Sequence, residues 1–318
     1  MPRILEPGEI ETLDASALPR IRLPERPSVF AARAQRLRAL APGNAISGYL
    51  LLMAALVDVQ QQVLDALPPA TIPDDSLKLA IAHGMPVVPA VGSALDVHWR
   101  ETLSMLIERI RDGVRRDASV SSAAPMMTQQ LDRLSSLSGD ELDRLATAVI
   151  ERDLERVDIA LAPIVHAALQ IEWTRLACAQ SVNALPYLDV PGLCPTCGSP
   201  PVASIVRVGG VHDGYRYLQC SLCSTEFHHV RVKCSHCDST KGIAYHSIED
   251  SPPGTRAESC DACHGYVKIF AQDKLFEAEP FADDLATLTL DLMMNEAGYH
   301  RPHPHPFLWP ATTGETDA

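Results

Sequence analysis

Cys194-Pro-Thr-Cys197, Cys220-Ser-Leu-Cys223, Cys234-Ser-His-Cys237 and Cys260-Asp-Ala-Cys263 decide how this chain is read. The first pair is separated from the second by 22 residues, the third from the fourth by 22 again, and Cys234 follows Cys194 by 40. A shift of 40 residues therefore lays four cysteines onto the other four, which is the pattern of a duplicated metal-binding unit. A Cys-x-x-Cys turn places two sulfurs on one side of a tight loop, within reach of backbone N–H groups. Two such knuckles facing each other supply a tetrahedron of sulfur. Pairing within each repeat gives one site from Cys194, Cys197, Cys220 and Cys223 and a second from Cys234, Cys237, Cys260 and Cys263. Crossed pairing of Cys220/Cys223 with Cys234/Cys237 across 10 residues is sterically open, and the exact repeat favours the sequential arrangement.

From Val190 to Phe270 helical periodicity gives way to Gly, Ser, Cys and short β-type runs. Val202–Val208 and Tyr215–Leu218 read as a hairpin turned at Gly209-Gly210, and Gly242–His246 with Ala257–Ser259 takes the same places in the second unit. Glu226–Val232 is strand-like and leads into Cys234. So little apolar residue surrounds the cysteines that metal, worth on the order of 10 kcal/mol of folding free energy, is expected to hold each unit. A closed tetrathiolate suits zinc or mononuclear iron, and four cysteines also hold iron–sulfur clusters. Gly198 behind the first knuckle gives it a rubredoxin-like form. Ser224, Asp238 and His264 stand at the matching positions and depart from that form.

Six histidines (His212, His228, His229, His236, His246 and His264) lie in the same region and read as supporting or surface groups beside two complete ligand sets. The ninth cysteine, Cys178, reads as a core thiol. Thioredoxin-type redox catalysis, which uses a single Cys-x-x-Cys at a helix start, is disfavoured. No catalytic residues and no organic-cofactor motif stand out.

The 318 residues allow two domains or more, with 46% hydrophobic residues and a net charge of −13. Seven Lys/Arg balance seven Asp/Glu between Val190 and Phe270, and four thiolates on a divalent ion add −2 per site. This balance argues against a zinc-ribbon nucleic-acid binder. No export-type apolar segment is evident at the start, and the most apolar run, Ala45–Val57, is shorter than the roughly 20 residues a membrane span needs. A cytoplasmic setting with reduced thiols is expected.

Residues 1–29 read as a Pro-rich arm. Helices are expected from Val29 to near Leu40, from an Asn44 cap to Leu67, near Leu77–Ala82, and from about Ala94 to Arg111. Ser138 and Glu141 form a capping box for the next helix. A last helix from about Leu154 to Ala184 would be kinked or divided by Pro163. An acidic helix opens at Asp283-Asp284, its paired acids explained by the helix dipole, and a His/Pro tail packs against the bundle. The fold class is thus an N-terminal all-α helical bundle, two tandem rubredoxin-like or zinc-ribbon-like modules with four cysteines each, and a C-terminal helix. The expected divisions are 1–187, 188–229, 230–270 and 271–318.

Several strings carry a family resemblance: Cys194-Pro-Thr-Cys-Gly-Ser-Pro-Pro-Val-Ala-Ser204, Tyr215-Arg-Tyr-Leu-Gln-Cys-Ser-Leu-Cys-Ser-Thr-Glu-Phe-His228 and Val230-Arg-Val-Lys-Cys-Ser-His-Cys237. Glu258-Ser-Cys-Asp-Ala-Cys-His-Gly-Tyr-Val-Lys-Ile269, Asp283-Asp-Leu-Ala286 and Glu296-Ala-Gly-Tyr299 continue it. The chain resembles the FdhE family of formate dehydrogenase accessory proteins, densely over residues 190–307. The resemblance implies a cytoplasmic, non-catalytic protein needed for making active respiratory formate dehydrogenase. It implies binding to the catalytic subunit around maturation and export, and rubredoxin-like iron at the cysteine pairs. Two metal ions are therefore expected, iron ahead of zinc. No nucleic-acid partner or membrane insertion is expected, and a homodimer is left open. A rubredoxin-like electron carrier or oxidoreductase is the alternative.

Overall fold

A computed structural model describes residues 19–309, apart from 93–94, 97, 117–123, 187, 189, 191 and 250–252. Expectations about residues 1–18 and about a start at Ala94 lie outside the described residues. The helical half contains α1 (Val29–Leu40), α2 (Ser47–Ala66), α3 (Asp74–His83), α4 (His98–Arg116), α5 (Ala124–Ser136), α6 (Gly139–Glu151) and α7 (Ala162–Cys178). In α2, Leu50, Met53, Ala54, Val57, Val63 and Leu64 recur at helical spacing and are buried. α7 is buried on nearly all sides, packed between α2, α4 and α6. The Ser138–Glu141 capping box opens α6 with both reciprocal hydrogen bonds formed.

Two helical expectations are corrected and one further helix is found. Pro163 stands in the first turn of α7, where its missing N–H costs nothing, and Leu154–Leu161 are mostly turns. Asn44 does not cap α2 directly; its Oδ1 accepts from the N–H of Ile46, the residue that immediately precedes α2. α5, not anticipated from the sequence, packs Leu131 and Leu134 into the common core.

The second half is a sheet region, to which the N-terminal arm contributes β1 (Ile21–Arg22). The later strands are β2 (Pro201–Val206), β3 (Arg216–Cys220), β4 (Glu226–His228), β5 (Ile243–His246), β6 (Thr255–Cys260) and β7 (Tyr266–Ala271). Among the described residues these strands form one seven-stranded sheet in the order β1-β4-β3-β2-β7-β6-β5. Each repeat supplies an antiparallel portion. The two portions join where β2 runs parallel to β7, Ile205 opposite Phe270. The two cysteine modules are thus fused through a shared sheet, because the β7 run Tyr266–Ala271 closes the second repeat and pairs back onto the first.

The expected C-terminal helix is two helices, α8 (Pro280–Ala286) and α9 (Leu288–Glu296), parted at Thr287. Glu279 caps α8 by accepting from Ala282 N–H. The acids read as dipole partners are buried ion-pair members instead: Asp283 holds Arg36 in a bidentate pair, and Asp284 lies between Arg301 and Lys268. The tail packs as expected on chemical grounds, with Phe307 and His305 buried against Phe281 and with Tyr49 donating to the Phe307 carbonyl. No described helix is long and apolar enough to cross a membrane.

Candidate metal centres

Each Cys-x-x-Cys closes in the same way. The N–H of the leading cysteine donates to the carbonyl five residues on: Cys194 to Ser199, Cys220 to Thr225, Cys234 to Ser239 and Cys260 to Gly265, at 2.8–3.0 Å. The residue after the second cysteine turns left-handed in all four, with φ of 75° at Gly198, 59° at Ser224, 64° at Asp238 and 54° at His264. Non-glycine residues seldom take this conformation. The sequence departures at Ser224, Asp238 and His264 therefore do not alter the backbone, and the rubredoxin-like turn recurs in all four knuckles. N–H groups of Leu222 and Cys223 lie 3.4 Å from Cys220 Sγ, and those of His236 and Cys237 lie 3.4 and 3.5 Å from Cys234 Sγ.

The knuckles face each other within each repeat. Cys194, Cys197, Cys220 and Cys223 form one tetrad and Cys234, Cys237, Cys260 and Cys263 the other, all sulfurs of a tetrad within 4.8 Å of one another. Cys194–Cys223 and Cys197–Cys220 approach to 3.5 and 3.4 Å, and Cys234–Cys263 and Cys237–Cys260 to 3.7 and 3.6 Å. These separations are far beyond a disulfide bond of about 2.05 Å. They match the edge of a sulfur tetrahedron around an ion at about 2.3 Å. Among the described residues these are the two groups able to hold a metal ion, and none of the six nearby histidines joins either.

The donor chemistry agrees. Burial pushes the Cys194 and Cys223 thiols well above their ordinary value. Burial also raises Cys197, but hydrogen bonding with its sulfur neighbours outweighs this and holds it well below. Four sulfurs so close and so dry cannot all ionise without a cation among them, and an ion at the centre removes that conflict.

The surroundings of the first tetrad come from the helical half. Val88 and Ala90 N–H groups donate to the carbonyls of Thr196 and Cys197, both at 2.9 Å, and Trp173 holds the Val88 carbonyl. From α7, Gln170 donates to the Ser221 carbonyl at 2.8 Å and His166 Nε2 lies 3.3 Å from it. Arg33 reaches Ser224 Oγ at 3.2 Å. Arg152, in a left-handed turn after α6, has its pKa pushed by burial down to about 10, while the charges of Cys220 and Cys197 oppose that fall. Its guanidinium offsets part of the negative charge that a tetrathiolate carries. Sequence reading did not single out His166, Gln170, Val88 or Arg152, since they lie on helices and loops with no spacing relation to the cysteines.

The second tetrad leans on less. His300 N–H donates to the His264 carbonyl and Tyr266 N–H to the His300 carbonyl, so the tail braces the fourth knuckle. Cys178, outside both sites, is half-buried with Sγ 3.3 Å from the Pro24 carbonyl, and burial pushes its thiol up to about 11.

A helical bundle whose core runs into a sheet bearing two zinc-ribbon-like tetracysteine centres defines the class of protein. Three family models cover the chain in succession: FdhE, N-terminal, over residues 18–189; FdhE, central domain, over 193–231; and FdhE, C-terminal domain, over 232–308. A "Protein FdhE homolog" of Stutzerimonas stutzeri is 38% identical over 309 residues, 96% of this chain and 97% of that protein. "Protein FdhE" of Escherichia coli O1:K1 is 36% identical over 311 residues, 96% of each. The crystal structure of the FdhE protein from Pseudomonas aeruginosa superposes with a TM-score of 0.80 at 35% identity, covering 92% of this chain and 99% of that one. The chain belongs to the FdhE family.

Proposed function

We propose that this protein is a cytoplasmic, non-catalytic accessory factor for respiratory formate dehydrogenase that binds the catalytic subunit during maturation. The eight cysteines ligate two metal ions, one in each tetrad, iron in preference to zinc. The ions fix a partner-binding surface that also responds to redox state. The observation that carries this reading is the pair of sulfur tetrads built into a scaffold of FdhE type. The iron preference rests on the FdhE resemblance, since the turn itself suits zinc and iron alike. The chain divides functionally at 1–187, 188–229, 230–270 and 271–318.

Affinity capture of the formate dehydrogenase catalytic subunit by the full chain tests the reading. Recovery with wild type and loss with serine at both tetrads is the expected result. No recovery by wild type would refute partner binding, and recovery unaffected by the serine substitutions would remove the metals from the mechanism. Metal analysis with a visible spectrum on anaerobically purified protein should show about two irons per chain and ferric–thiolate colour.

An electron-carrier reading has one observation in its favour, the exposed edge of the second tetrad at Cys237. It requires reversible one-electron cycling, and a zinc-loaded form with full activity would exclude it.

A further inference from the structure

We infer that the second tetrad is an exchange site, with Cys237 as the ligand through which metal enters and leaves, while the first tetrad is closed to exchange. This rests on the proposed metal ligation by both tetrads. The sulfur-bearing residues of the first site are sealed: Cys194 and Cys223 are 0% exposed, and Cys197 and Cys220 are 1%. In the second site Cys234 and Cys260 are buried, Cys263 is partly exposed and Cys237 is exposed. An incoming ligand can reach this ion without any unfolding, whereas at the first site it must first open a packed core.

The anchoring of the knuckles selects Cys237 over Cys263. The knuckle at Cys260–Cys263 continues from β6 into β7 and is braced by the His300 bridge. Gly265, just beyond it, lies against Pro302, and a side chain there would press on Cys263 Sγ. Among the described residues the knuckle at Cys234–Cys237 has no backbone bridge of this kind, and side chains hold it instead: His229 meets the Lys233 carbonyl, Lys233 pairs with Asp238, His236 lies edge-on to His303, and Gly192 sits against the Ser235 carbonyl. Its backbone bonds close on themselves, from Cys234 N–H to the Ser239 carbonyl and from Asp238 N–H to the Cys234 carbonyl. Behind it opens a cleft of about 290 Å³, bordered by Leu193, Val202, Ser235, His236, Arg301 and His303. The approach to it strains the backbone: Val232, a β-branched and exposed residue, holds φ of 58°. A strained lead-in, a cleft behind and a solvent-facing sulfur together describe a knuckle that can swing away. In the exchange step an incoming donor bonds to the ion as Cys237 Sγ releases it. The freed thiolate is left in water, and no electron changes hands.

The test uses the full chain loaded with two equivalents of zinc and challenged with excess 4-(2-pyridylazo)resorcinol. Release should be biphasic: one equivalent fast, the other at least ten times slower. The Cys237→Ser variant should lack the fast equivalent and keep the slow one. N-ethylmaleimide labelling of the loaded protein, in a Cys178→Ala background, should modify Cys237 before any cysteine of the first tetrad. Two equivalents released at one rate, or labelling of Cys237 no faster than Cys194 or Cys223, would overturn the inference while leaving metal ligation intact. A chain that takes up no metal would overturn the ligation itself.

Discussion

The first tetrad takes its walls from the helical bundle, while the second relies on a sheet portion, α9 and the C-terminal tail. Cys194, Cys197, Cys220 and Cys223 belong to the same apolar core as α2, α4 and α7. The core beneath the second site is Ala257, Tyr266, Leu290 and Met294, with Ile248 and Tyr299 at its margin. Backbone closure and left-handed turns are the same in both. Duplication therefore copied the ligand cage but not the shelter around it. Under the proposed ligation, identical motifs would hold one ion as part of the fold and another as a replaceable surface group, and the difference in shelter lies in residues far away in sequence.

The largest effect should come from Cys194→Ser. Losing a structural ion removes stabilisation on the order of 10 kcal/mol, and here the loss falls inside the main core. Calorimetry should show the principal unfolding transition gone or the chain insoluble, whereas Cys234→Ser should keep that transition and lose only order in the second sheet portion. Equal behaviour of the two variants would break the comparison.

Next is the buried pair joining the two halves of the sheet. Arg216 of β3 donates to both carboxylate oxygens of Glu258 of β6 at 2.9 and 2.7 Å, with both residues almost fully buried. Glu258→Gln leaves the guanidinium unbalanced and should cost about 3–5 kcal/mol in urea denaturation. If the second portion is the less stable of the two, fluorescence of Tyr245, which donates to Glu258, should change before helical circular dichroism does.

Gly192 sharpens the comparison at the seam. It holds φ of 70°, and a β-carbon there would meet the Ser235 carbonyl oxygen at 1.8 Å. Gly192→Ala should therefore cost about 1–3 kcal/mol and displace the third knuckle while sparing the first, as cobalt spectra of the two sites would report.

The smallest effect at neutral pH is at His166, whose contribution emerges only on acidification. Burial keeps His166, which supports the Ser221 carbonyl, at a pKa of about 3, below the ordinary value for histidine. The unfolded chain binds this proton first on acidification, so stability falls as pH drops below about 6.5 and levels off near the folded value. His166→Gln should reduce that slope by about 1.4 kcal/mol per pH unit. An unchanged slope would mean that α7 supports the first site without an acid-sensitive contact.

Much of the molecule was legible in the sequence because local physics governs those parts. The 40-residue repeat gave the sequential tetrads, the apolar run after Asn44 gave α2, the Leu103, Leu106, Ile107 and Ile110 spacing gave α4, and the capping box gave the start of α6. The misreadings share a cause, tertiary partners that no local pattern encodes. Asp283 and Asp284 resemble dipole-favoured acids until Arg36, Lys268 and Arg301 arrive from elsewhere in the chain. Ser224, Asp238 and His264 resemble departures from a glycine turn, yet the fixed cage holds them at positive φ. The unequal shelter of the sites was invisible, since His166, Gln170 and the Val88–Ala90 strap lie upstream of the cysteines and carry no motif.

The central claim is that the chain holds two independent tetrathiolate ions of which only the first is integral to the fold. Cobalt titration of the full chain, read from sulfur-to-metal charge-transfer absorption, tests it directly. Wild type should saturate at two equivalents, and a Cys234→Ser, Cys237→Ser double variant should saturate at one with its helical content intact. Saturation of wild type at a single equivalent, or a double variant that unfolds or binds none, would contradict the account.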